Sequence, residues 1–253
     1  MLVMLFEGVA WRGLDNLFIP LGSHLLLSLY LDETVEALTW RLLATVVLVV
    51  FALVWRGRSR LDDGALLGVA LFGYGALMLG GWPWLITPLS LFLFHVWFWP
   101  RSAPQVSIDT IPRVLATVIT GVFWLVMYRW SHDPLLVFPY GLSFAVHLAT
   151  LKISAMARQD HRHFSLRMMG REIYLAWGLA FFPLLLIRGL AGESWILLLQ
   201  VAGVALILTG LTAGLFYTLV SWLYRPDRGR GLPTMSRLLL ATLGSVGLAM
   251  VLP

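Results

Sequence analysis

The sequence predicts an all-α protein: a polytopic α-helical membrane bundle of about eight transmembrane helices, preceded by an interfacial or re-entrant segment. Three observations predict it. Hydrophobic residues make up 59% of the chain and charged residues only 12%. Mean hydropathy is +0.84. The apolar residues fall in long runs bounded by charge, and roughly 20 such residues in a helix span the hydrocarbon of a bilayer. No polar stretch between the runs is long enough to bury a core of its own. Residues 35–253 therefore read as one helical bundle and residues 1–34 as an N-terminal appendage.

The runs come in order. Val35 to Trp55 is the first and Ala65 to Leu79 the second. A Gly80-Gly81-Trp82-Pro83 turn leads into the third, Trp84 to Trp99. Pro112 to Tyr128, Leu135 to Ala157, Ile173 to Ile187, Trp195 to Tyr224 and Leu238 to Leu252 complete the series. Pro88 in the third and Pro183 in the sixth predict kinks, because proline removes a helical N–H and crowds the preceding turn. Trp82, Trp84, Trp97, Trp99, Trp130, Trp195 and Trp222 lie near run ends, where indole rings anchor at the headgroup level. The first thirty-one residues are apolar enough for a ninth span, but Arg12, Asp15 and Pro20 interrupt them. An interfacial helix followed by a re-entrant half-helix over Leu21–Leu31 is preferred; a proline-broken ninth span is the alternative. Glu7 and Asp15, with no basic stretch ahead of the apolar residues, do not fit a cleaved signal peptide.

Charge orients the bundle. The formal net charge is +5, carried by seventeen arginines and one lysine. Arg56, Arg58, Arg60, Arg101, Arg113, Arg158, Arg162, Arg167, Arg171, Arg225, Arg228, Arg230 and Arg237 fall on one side of eight spans. Arg12, Arg41, Arg129 and Arg188 fall on the other. The positive-inside rule places the Arg-rich loops in the cytoplasm of a bacterial-type inner membrane and the C-terminus outside. The same rule accounts for the basicity without nucleic acid as a partner. There is no cysteine, which excludes disulfides, thiolate catalysis and Cys-ligated metals.

The fifth run carries the most chemistry. Tyr140, Ser143, His147, Thr150 and Ser154 recur at spacings of 3, 4, 3 and 4 and fall in one stripe of a helix. Hydrocarbon offers no hydrogen-bond partner, so a polar stripe faces protein or water. It is either a substrate or proton path or a packing seam. Lys152, the one lysine, lies on another face of the same helix and is long enough to snorkel toward the cytoplasmic interface. It is included with the path residues as a partner for a carboxylate or an anion. In the fourth run Thr117, Thr120, Gly121, Trp124 and Tyr128 share a face that is expected to pair with the fifth-run stripe. Gly203, Gly210 and Gly214 in the seventh read as a close-packing seam.

Arg158, His161, Arg162, Arg167 and Arg171, with Arg225, Arg228 and Arg230, form two basic cytoplasmic loops suited to anionic headgroups or a partner protein. Asp160, His161 and His163 are a poor metal signature, and neither a metal nor a cofactor is expected. No Walker A sequence and no HExxH pair are present. Two function classes follow. The first is a non-enzymatic permease or a membrane subunit working with partner subunits and lipid. The second is a membrane-embedded enzyme acting on a phosphorylated lipid or lipid-linked substrate.

Overall fold

In the computed structural model, residues 20–252 are described except 25–26, 29–30, 32, 59–60, 99–110, 160–165 and 224–231. The side chains of 95–98, 111–113, 155–159, 166, 220–223 and 232–235 also lie outside the description. Among the described residues the chain is helical, with these long elements: α1 (Val35–Trp55), α2 (Asp63–Gly80), α3 (Trp82–Phe98), α4 (Ile111–Ser131), α5 (Val137–Gln159), α6 (Leu166–Leu190), α7 (Trp195–Leu223) and α8 (Leu232–Ala249). A 3-10 turn, Pro134–Leu136, leads into α5. Each helix overlies one of the eight apolar runs. Six are long and apolar enough to cross a membrane, while the apolar parts of α3 and α8 (Trp82–Phe94 and Ser236–Ala249) are shorter. Most of the N-terminal segment lies outside the described residues; residues 20–24 are helical.

Two compact units can be distinguished, residues 1–78 with 93–115 and residues 79–92 with 116–253. In the first, Leu48 of α1 packs on Ala70 and Tyr74 of α2, with Ala44, Val49, Phe51 and Met78 around them. Thr34 caps α1 by accepting from the Ala37 N–H at 3.3 Å, and Asp62 accepts from the Ala65 N–H at 2.6 Å as α2 begins. Arg41 is clamped by Glu33. Most other α1 side chains are exposed apolar groups, as expected of a helix facing lipid.

The second unit is built around α5, which packs against α6, α7 and α8. The span Pro134–Ser154 is 72% buried, against 11–33% for the other five. Small residues let the neighbours close in. A Cβ on Gly121 of α4 would lie 2.9 Å from Phe144 Cε2 and Cζ and 3.2 Å from Tyr140 Cε2, both on α5. A Cβ on Gly244 of α8 would lie 3.0 Å from Thr212 Cγ2 of α7. The α7 glycines behave otherwise: a Cβ on Gly203, Gly210 or Gly214 would meet nothing within 4 Å. The expected close-packing seam on α7 is therefore not used inside the described chain.

Both proline positions are compensated across helices. Pro88 has no N–H to give the Trp84 carbonyl four residues earlier. The buried Tyr140 hydroxyl of α5 donates to that carbonyl at 2.8 Å. Pro183 likewise leaves the Leu179 carbonyl, and Ser90 of α3 donates to it at 2.9 Å. Thr87 adds a 3.3 Å bond to the Ala180 carbonyl. Backbone freed by proline inside a bundle needs a partner from a neighbouring helix, and here α5 supplies it to α3 and α3 to α6. Trp84 departs from the expectation of an interfacial anchor. It is 2% exposed, and its ring lies 4.8 Å from that of Tyr128 and 4.7 Å from that of Tyr140. Trp82, Trp130 and Trp195 are exposed at helix ends, as interfacial anchors would be.

Candidate functional site

The polar residues of α5 fall into two groups once their partners are seen. Tyr140, Ser143 and Thr150 serve the fold. Tyr140 holds the Trp84 carbonyl, and Ser143 donates back to the Tyr140 carbonyl at 2.7 Å. Thr150 does the same within its own helix, to Val146 at 2.9 Å and His147 at 3.0 Å. Such back-bonding satisfies a hydroxyl without a partner helix. On the fourth-helix face, Gly121 presses on Tyr140 and Phe144 of α5. Two of its polar groups turn to α8: Thr120 meets Thr242 at 3.4 Å and Trp124 Nε1 donates to Ser245 Oγ at 2.9 Å.

Toward its C-terminal end α5 meets charge. His147 is 3% exposed. The Arg237 guanidinium of α8 is close enough for its charge to act on the imidazole. Arg237 Nη2 donates to Ser154 Oγ at 2.7 Å, and the Ser154 hydroxyl donates in turn to the Leu151 carbonyl at 2.9 Å. The guanidinium carbon lies 5.8 Å from the centre of the Phe216 ring of α7, a cation–π distance. Arg237 thus ties three helices together. In the sequence it looks like one more loop arginine; its position at the start of the last apolar run, a turn inside the helix, is the signal that separates it.

On the other side of the same end, Lys152 is half-buried and faces charge from α6. The charges of Glu172 and Arg171 both act on it. Arg171 Nη2 and Nε donate to Glu172 Oε1 at 3.0 and 3.3 Å. The Glu172 side chain is 7% exposed and that of Arg171 71%. The lysine expected to snorkel therefore has a buried carboxylate within electrostatic reach. Arg167 is exposed nearby in sequence. His161, Arg162, Arg225, Arg228 and Arg230, and the side chain of Arg158, lie outside the described residues. No cluster of three His, Asp or Glu side chains able to hold a metal occurs among the described residues.

Another charged pair lies toward the opposite end of α5. Arg188 of α6 is clamped by Glu193, its Nη2 reaches the Pro134 carbonyl at 3.4 Å, and its guanidinium carbon lies 5.9 Å from the Phe138 ring centre. This ties the α6–α7 turn to the turn ahead of α5.

Six helices long and apolar enough to cross a membrane point to a multi-pass integral membrane protein. No protein-family model, curated protein or solved structure matches the chain.

Proposed function

We propose that the protein is a non-enzymatic component of a bacterial-type inner membrane, permease-like or the membrane subunit of a larger complex. The C-terminal half of the α5 stripe is its path, and the Arg-rich loops face the cytoplasm. The observation that carries this reading is the placement of His147. An ionisable side chain on the most buried helix of a membrane bundle is costly to keep, and such groups mark ion and substrate pathways. It lies about two turns from the Ser154–Arg237 contact, so polar groups continue from mid-helix to the Arg-rich end. Tyr140, Ser143 and Thr150 bond backbone. Ser154 also donates to backbone but accepts from the Arg237 guanidinium, so His147, Ser154 and Arg237, with Lys152 and Glu172 alongside, are the groups offered to a proton or an anion.

His147→Ala tests it. In proteoliposomes carrying a pH-sensitive dye under an imposed potential, the proton flux of the variant is expected to fall about tenfold, equivalent to about 1.4 kcal/mol on a barrier. Yield and melting temperature should stay near those of the parent. A fall in yield and melting temperature with unchanged flux per folded molecule would make His147 a packing residue and end the path reading.

A further inference from the structure

Glu172 stands out among the described residues as the buried carboxylate. It precedes by one residue the apolar stretch that begins at Ile173, so it lies at the level where lipid phosphates or cytoplasmic anions arrive. A buried carboxylate is tolerated when cations and hydrogen bonds compensate its lost hydration. Here Arg171 compensates it from its own helix through two hydrogen bonds to one oxygen, Oε1. The charge of Lys152 acts on the same carboxylate from α5, which packs directly on α6. One cation is bonded to the carboxylate and a second, from the adjoining helix, is within electrostatic reach of it. The Arg171 side chain stays 71% exposed, so the cluster opens toward the surface. A guanidinium and an ammonium arranged in this way form the donor set that holds phosphate groups.

We propose that Lys152 and Arg171 form an anion-binding site for a phosphate group, and that Glu172 is its built-in counter-anion, displaced when the phosphate binds. The proposal extends the path reading by giving its Arg-rich end a ligand class. Glu172 plays the part of an internal competitor. It keeps the two cations compensated while the site is empty of ligand, and it sets the affinity by the cost of moving it. The phosphate group belongs either to a free anion or to a phospholipid headgroup.

The test uses the purified full chain. Thermal unfolding is followed in a neutral detergent as inorganic phosphate is raised at constant ionic strength, with chloride as the balancing anion. The melting temperature of the parent should rise to a plateau. Glu172→Gln removes the competitor while keeping its shape, and should lower the half-saturating phosphate about tenfold. Lys152→Gln should raise it by about the same factor. The titration is repeated in nanodiscs of phosphatidylcholine with increasing phosphatidylglycerol. A response to free phosphate assigns the soluble anion, and a response to phosphatidylglycerol alone assigns the headgroup. No response in either arm overturns the proposal, as does a Glu172→Gln variant whose response is unchanged or weaker. Should Glu172→Gln not fold, Lys152→Gln and Arg171→Gln decide: loss of the response supports the site, and a parental response overturns it. The path reading fails separately. A phosphate response with the predicted Glu172→Gln shift but no flux rejects the path and keeps the anion site; flux that depends on His147 without a phosphate response does the reverse.

Discussion

Gly121→Val is expected to destabilise the protein by about 3 kcal/mol, at the upper end of the usual cost of overpacking a filled core. The reason is local. A Cβ at this position already comes within 2.9 Å of two Phe144 ring carbons and 3.2 Å of Tyr140 Cε2. Neither ring has room to yield. Phe144 is 2% exposed and Tyr140 is fully buried, and their ring centres are 5.1 Å apart in an edge-to-face contact. Valine would add two methyl groups beyond that Cβ, so α4 must separate from α5. The separation also loosens the bonds that α4 makes to α8 through Thr120 and Trp124. A melting curve in detergent measures the effect. Valine at Gly203, whose Cβ would meet nothing within 4 Å, is the matched control and should change little.

Tyr140→Phe is expected to cost about 1–2 kcal/mol, the range for leaving a buried carbonyl unpaired and for losing an interhelical hydrogen bond in a membrane bundle. Removing one oxygen leaves the ring packing intact and strands the Trp84 carbonyl, which Pro88 already deprives of its helical donor. The mechanism makes a sharper claim than the single variant does. Pro88→Ala restores an N–H aimed at the Trp84 carbonyl, so the Tyr140 hydroxyl becomes redundant in that background. The cost of Tyr140→Phe should then fall to a few tenths of a kcal/mol, and the double-mutant cycle should show a coupling of about 1 kcal/mol. Equal costs in both backgrounds would show that the hydroxyl does something other than replace the missing bond.

The helices were legible in the sequence because the signal for a spanning helix is coarse and strong. Val35–Trp55 is bounded by Glu33 and Arg56 and forms α1 with those same end residues. The arrangement around α5 was not legible. Lipid and protein interior are both apolar, so hydropathy alone does not tell a lipid-facing helix such as α1 from a surrounded one such as α5. The polar stripe gave the better clue, since it marked α5 as the helix that needs protein around it. It did not say that the rest of α5 is buried too, nor that Tyr140 serves a proline-broken neighbour. Pro88 and the hydroxyls were all visible, but their pairing depends on a contact between residues 56 positions apart. Trp84 is hard to place for a related reason: an indole at a helix start reads the same whether the headgroups or the core receives it. In the sequence Glu172 and Arg237 border apolar runs and do not differ from the loop charges beside them. Only the neighbouring helices reveal that one is buried and that the other reaches Ser154 and Phe216.

The absence of cysteine makes the central claim directly testable by a single-cysteine scan along α5. Cysteines are placed one at a time at Ser143, His147, Thr150 and Ser154, and on the opposite face at Ala145 and Ala149. Each is exposed to an impermeant thiol reagent from the cytoplasmic side of inverted membrane vesicles. The account predicts fast labelling at 154, slower labelling at 150 and 147, little at 143, and protection at 145 and 149. Protection of the whole stripe, or equal labelling of both faces, would contradict a path that enters α5 from its Arg-rich end.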